Sequence, residues 1–94
     1  MRFQGIKDFL KYEFIGLFVE VIRSRNKNMI GVHGEIIDET KNTFAIRTPT
    51  GIKIIPKEYN TFLFYYNDYW ILVDGKHLVG RPWERLKRKI VKKV

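Results

Sequence analysis

The sequence predicts a mainly β protein: a small antiparallel barrel of five to six strands, SH3-like or Sm-like, with a short N-terminal helix and a basic C-terminal helix. Three observations carry this expectation. Apolar residues recur with a period of two from Ile15 to about Gly80. Turn-forming residues interrupt that stretch at short, even intervals. At both ends the apolar spacing changes to threes and fours.

The elements follow in order. Phe3, Ile6, Leu10 and Phe14 form a helical stripe that Phe9 widens, and Gly5 moves the helix start to about residue 6. Leu17, Val19 and Val21 then alternate with Phe18, Glu20 and Ile22 along a first strand. Ser24 to Asn28 is a polar loop. A second strand runs from about Val32 to Glu39, where Gly34 permits a sharp bend. Thr40-Lys41-Asn42 is a turn. Phe44, Ile46 and Thr48 share one face of a third strand, and Pro49-Thr50-Gly51 turns the chain again. Ile52 and Ile54 share a face of a fourth strand ending at Pro56. Thr61 to Tyr66 is a fifth, with Phe62, Phe64 and Tyr66 on its core face. Asn67-Asp68 leads to a sixth strand from Trp70 to Val73, and Asp74-Gly75 ends it. Pro82 suits a helix start, and Trp83, Leu86, Ile90, Val91 and Val94 then mark one helical face. We read residues 1–94 as one domain: a helical segment over 1–14, a barrel over 15–80 and a basic helix over 82–94.

Charge narrows the function class. The net charge is +8, unevenly placed. Residues 81–94 hold seven Lys/Arg and one acid, while the rest hold eleven basic and nine acidic side chains. A balanced body with a cationic tail points to a polyanion, nucleic acid before membrane. No cysteine is present, which excludes disulfides and thiolate zinc sites and fits an intracellular protein. Asp8 and Lys11 break any secretory apolar run, and no stretch is long enough to span a bilayer. We expect a soluble cytoplasmic protein.

No catalytic set stands out. Ser24, His33 and Asp38 lack a nucleophile-elbow context. Asp38 and Glu39 could hold magnesium as a pair, but strand neighbours point to opposite faces. Asp38 reads better as a turn anchor. The candidate nucleic-acid contacts are Arg23, Arg25 and Lys27 at one barrel end, Lys53 and Lys57 on the barrel, and Arg81, Arg85, Lys87, Arg88 and Lys89 at the C-terminus. The candidate protein interface comprises Ile6, Leu10 and Phe14 of the helical stripe, with Tyr65 on the outer face of its strand.

Several motifs occur in a telling order: Glu13-Phe14-Ile15-Gly16-Leu17, then Gly31, Gly34 and Asp38-Glu39-Thr40, then Pro56-Lys57, Phe62 and Phe64, and finally Arg81-Pro82 with Arg85-Leu86-Lys87. In these the chain resembles the ribonuclease P protein component 1 family, the Sm-like barrel subunit of archaeal ribonuclease P. Trp83 departs from that pattern, standing where an acidic residue is expected. The resemblance implies a non-catalytic role in removing 5′ leaders from precursor tRNA, with the RNA subunit doing the hydrolysis. It implies ribonuclease P RNA, precursor tRNA, the zinc-ribbon protein component 4 and other ribonuclease P proteins as partners. It also implies no cofactor on this chain and magnesium used by the RNA. The competing expectations are a free-standing nucleic-acid-binding barrel, Sm-like or chromatin-type, and a small barrel nuclease.

Overall fold

The computed structural model describes residues 14–66 and 68–80. The strands are β1 (Phe18–Ser24), β2 (His33–Glu39), β3 (Thr43–Thr48), β4 (Gly51–Pro56), β5 (Asn60–Tyr66) and β6 (Tyr69–Asp74). Short 3-10 turns occupy Lys27–Met29 and Gly75–His77. All six strands pair antiparallel in one sheet ordered β4-β3-β2-β1-β5-β6. The strand count and turn positions agree with the periodicity and with the Asx, Gly and Pro signals. The two expected helices lie outside the described residues.

One short connection forces the sheet to curl. Strand β4 is an edge, and β5 lies four strand spacings away. In a flat sheet that separation would be about 19 Å. The link Lys57-Glu58-Tyr59 spans at most about 14 Å from Pro56 to Asn60. The sheet must therefore wrap towards itself, which gives the barrel form. Among the described residues β4 and β6 do not pair with each other, so no ladder closes the sheet between them.

The inner face holds one core. Phe14, Phe44, Phe62 and Phe64 form its centre, surrounded by Val19, Val21, Ile36, Ile46, Ile55, Ile71, Val73 and Leu78. The Phe44 ring meets those of Phe14 and Phe62 edge-on at 5.7 and 5.4 Å. Such pairs add about 0.5–1.5 kcal/mol each beyond burial. Ile52 and Ile54 occupy the outer face, each 60% exposed, while Ile55 points inward.

Two β-bulges reverse the alternation where it matters. In β1 the register passes from Val21 opposite Phe62 to Arg23 opposite Thr61, leaving Ile22 as the extra residue. Strict alternation would turn Arg23 inward with Val19 and Val21; the bulge turns it outward. In β2 the register passes from Ile36 opposite Ile46 to Asp38 opposite Ala45. Glu39 then lies opposite buried Phe44 and faces inward, and Asp38 faces solvent. The two carboxylates diverge, and Asp38 accepts a hydrogen bond from the Glu39 N–H at 2.9 Å.

At Gly34 the β3 backbone leaves no room for a side chain. The glycine's φ is +152°, and an added Cβ would run into the Arg47 carbonyl. Gly34→Ala is expected to lower stability by about 2–3 kcal/mol through overpacking and backbone strain. Thermal unfolding of the variant checks this; an unchanged Tm would mean that β2 and β3 can separate freely.

Candidate nucleic-acid interface

The loop after β1 is held by its own side chains. Ser24 Oγ accepts from the Asn26 N–H at 3.0 Å, and Asn26 Oδ1 accepts from the Asn28 N–H at 3.0 Å. These local turns leave Arg25 and Lys27 exposed. The Arg25 guanidinium lies over the Tyr59 ring, 4.0 Å from its centroid. The Arg25 N–H also donates to the Tyr59 carbonyl at 3.3 Å. A concavity of about 440 Å³ opens beside this pair, lined by Glu58, Thr61, Asp74 and Lys76 as well. A second, of about 330 Å³, shares Thr61, Asp74 and Lys76 and reaches Arg23 and His77. The fold thus gathers Arg23, Arg25 and Lys76 along one track, with Lys27 on the adjoining turn. Lys53 lies apart, beside a hollow of about 300 Å³ that His33 and Pro49 also line.

Lysine 76 and Tyr59 escaped the sequence reading. Lys76 follows an Asp-Gly turn, and Asp74 Oδ1 accepts from its N–H at 3.3 Å. That turn chemistry was visible in the sequence, but its proximity to Arg25 was not.

Lysine 57 must be corrected. It was expected to meet RNA, yet it is fully buried. Its Nζ donates to Glu39 Oε2 at 2.7 Å and to the carbonyls of Thr40, Lys41 and Gly80 at 2.8, 3.2 and 3.1 Å. Its ammonium also lies 5.0 Å from the Phe44 ring centroid. This lysine is a strut that ties the β2–β3 turn to the chain leaving the barrel. A buried ammonium with that many acceptors has no proton left to offer a phosphate.

Phenylalanine 14 is corrected likewise. It packs between Phe44 and Phe64 with no exposed surface, so it belongs to the core and not to an interface. Its N–H lies 3.5 Å from Glu39 Oε1. Phe14 and Gly80, where the terminal segments join the barrel, thus both contact the Glu39–Lys57 ion pair. Ile6, Leu10, Arg81, Arg85, Lys87, Arg88 and Lys89 lie outside the described residues.

Tyrosine 65 stands on the outer face, as expected. Cross-strand registers place Trp70, Tyr65, Phe18 and Glu35 in one row across β6, β5, β1 and β2. The three aromatics are 55, 41 and 44% exposed, and the Tyr65 and Trp70 ring centroids are 4.8 Å apart. The Tyr65 hydroxyl donates to Asp68 Oδ1 at 2.9 Å. That hydrogen bond and the carboxylate's charge raise the phenol's pKa above its ordinary value.

Serine 24, His33 and Asp38 are each engaged separately. Ser24 and Asp38 accept from neighbouring backbone N–H groups, and His33 Nδ1 lies 3.0 Å from the Gly31 carbonyl. Among the described residues no three His, Asp or Glu side chains gather as metal ligands, and no helix is long and apolar enough to cross a membrane.

Comparison with known proteins fits this geometry. The family described as "Ribonuclease P/MRP, subunit p29" matches residues 7–88. The chain is 46% identical over 84 residues to ribonuclease P protein component 1 of Methanocaldococcus jannaschii, covering 88% of each. It is 37% identical over 90 residues to the same component of Archaeoglobus fulgidus, covering 96% of this chain and 87% of that one. The solved structure of Mth11, described as a homologue of the human RNase P protein Rpp29, superposes with a TM-score of 0.57 at 37% identity, covering 79% of this chain and 97% of Mth11. The chain belongs to the ribonuclease P/MRP p29 family, that of the archaeal ribonuclease P protein component 1.

Proposed function

We propose that this chain acts as an RNA-binding scaffold within ribonuclease P, helping the catalytic RNA remove 5′ leaders from precursor tRNA. Membership of the family makes it a protein subunit of ribonuclease P. The observation that carries the mechanism is the outward track of Arg23, Arg25 and Lys76, together with the cationic residues 81–94. Cations at these places neutralise phosphates and release counterions, so a folded RNA holds its shape at lower magnesium. Such contacts position the protein without reading sequence. The magnesium serves the RNA, which performs the hydrolysis.

The aromatic row of Phe18, Tyr65 and Trp70 suits a protein partner, and the zinc-ribbon protein component 4 is our candidate. Aromatic side chains on a polar-rimmed face favour such contacts. We place the complex in the cytoplasm.

Reconstitution tests the reading. Precursor-tRNA cleavage is measured at moderate magnesium with the RNA subunit, the zinc-ribbon protein and this chain, each omitted in turn. Cleavage should rise only when all three are present, and this chain alone should cleave nothing. Cleavage by the pure protein, or no effect together with no partner binding, would replace the scaffold reading with a barrel nuclease or a free-standing nucleic-acid-binding barrel.

A further inference from the structure

Tyrosine 59 has a backbone that a bulky residue rarely adopts. Its φ is +67°, in the left-handed region, where glycine and asparagine are ordinary and tyrosine is not. The core gains little from this residue, since it is 59% exposed. The surrounding loop nonetheless holds it firmly. The Lys57 N–H donates to the Asn42 carbonyl at 2.8 Å, and Asn60 Nδ2 donates to the Pro56 carbonyl at 2.6 Å. A strained, exposed and well-anchored aromatic ring points to use at a surface.

The surroundings say which use. The Arg25 guanidinium lies over the ring, 4.0 Å from its centroid, forming a guanidinium–aromatic pair. Concavities adjoin it on two sides: the one of about 440 Å³ that leads towards Lys76, and one of about 140 Å³ lined by Ser24, Asn26 and Met29. Along the wider side Arg23 and Lys76 supply charge, while Glu58 and Asp74 supply acceptors. Cations spaced along a groove around a flat π surface suit a single-stranded nucleic acid. The interior of a duplex offers no base face to such a platform, because its bases are already stacked on one another.

We propose that the Arg25–Tyr59 pair is a stacking platform for one unpaired RNA base, with Arg23 and Lys76 holding the neighbouring phosphates. The carboxylates of Glu58 and Asp74 then face the amino edge of the base as acceptors. This rests on the RNA-binding reading above and specifies the kind of RNA element that reading requires: a bulge, loop or single-stranded joint. The left-handed backbone at Tyr59 is the conformation in which its ring lies beside Arg25.

The test uses the full chain and two probes, a single-stranded oligoribonucleotide containing 2-aminopurine and a long RNA duplex whose interior base pairs far outnumber its ends. Tyr59→Asn removes the ring but suits the left-handed backbone, so its Tm should not fall. Tyr59→Phe keeps the ring. Wild type and Tyr59→Phe should quench the 2-aminopurine fluorescence on binding. Tyr59→Asn should lose that quenching and bind the single strand about tenfold more weakly, as loss of one stacked base implies. Its duplex affinity should not change. Equal binding and equal quenching by Tyr59→Asn and wild type would overturn the platform while leaving general RNA binding intact. Failure of the wild type to bind either RNA at low salt would overturn both.

Discussion

Replacing Lys57 by methionine is expected to lower stability by about 3–5 kcal/mol, the usual loss when one partner of a buried ion pair is removed. Methionine fills much of the same space but removes the ammonium that lies 2.7 Å from the Glu39 carboxylate. It also strips a donor from the carbonyls of Thr40, Lys41 and Gly80. Each buried acceptor left unpaired costs about 1–3 kcal/mol. In a domain of this size the Tm should drop by at least about 12 °C. A second substitution, Glu39→Gln, should recover part of the loss by removing the charge that Lys57 faced, and the double-mutant cycle measures that coupling. If Lys57 instead touched RNA, Lys57→Met would weaken RNA binding and leave the Tm unchanged. That pattern would sink the strut assignment. Because Phe14 and Gly80 both contact this ion pair, the variant should also loosen the points where the terminal segments join the barrel.

The triple variant Arg23→Gln, Arg25→Gln, Lys76→Gln should fold normally, since all three side chains are exposed. Its RNA affinity should fall about a hundredfold near 0.1 M salt. Each phosphate contact contributes about 0.7–0.9 to the slope of log K against log salt. Losing the two that Arg23 and Lys76 make should make that slope about 1.4–1.8 shallower, and near 0.5 M salt the deficit should shrink to about five- to tenfold. Filter binding or fluorescence anisotropy over a salt series reads both quantities. Parallel slopes for wild type and variant would show that the barrel track carries no phosphate. RNA contact would then rest on residues beyond the barrel.

Local patterns in the sequence anticipated much of the fold. Period-two alternation separates Phe62 and Phe64 from Tyr65, and the structure buries the first two and exposes the third. Turn residues at Asn67-Asp68 and Asp74-Gly75 mark where β5 and β6 end, and Asp68 takes the left-handed backbone that aspartate tolerates. Composition placed the excess positive charge at the C-terminus. The motifs shared with the ribonuclease P protein component 1 family were legible as well. All of these depend on residues close in sequence, where steric and solvation preferences act without help from the rest of the chain.

The site needed contacts between distant segments. Arg25 and Tyr59 are 34 positions apart, and only the pairing of β1 with β5 brings them together. Lys57 looks like any surface lysine after a proline until Glu39, 18 positions earlier, is turned towards it by a bulge. Alternation says which residues share a face, but a bulge exchanges the faces beyond it. Arg23 and Glu39 both lie just past such a point. The sequence by itself therefore determined the strands, the turns, the family and the sign of the charge. Tertiary structure alone decided which cations meet solvent and which is locked inside, because bulges and cross-strand partners set the direction of each side chain.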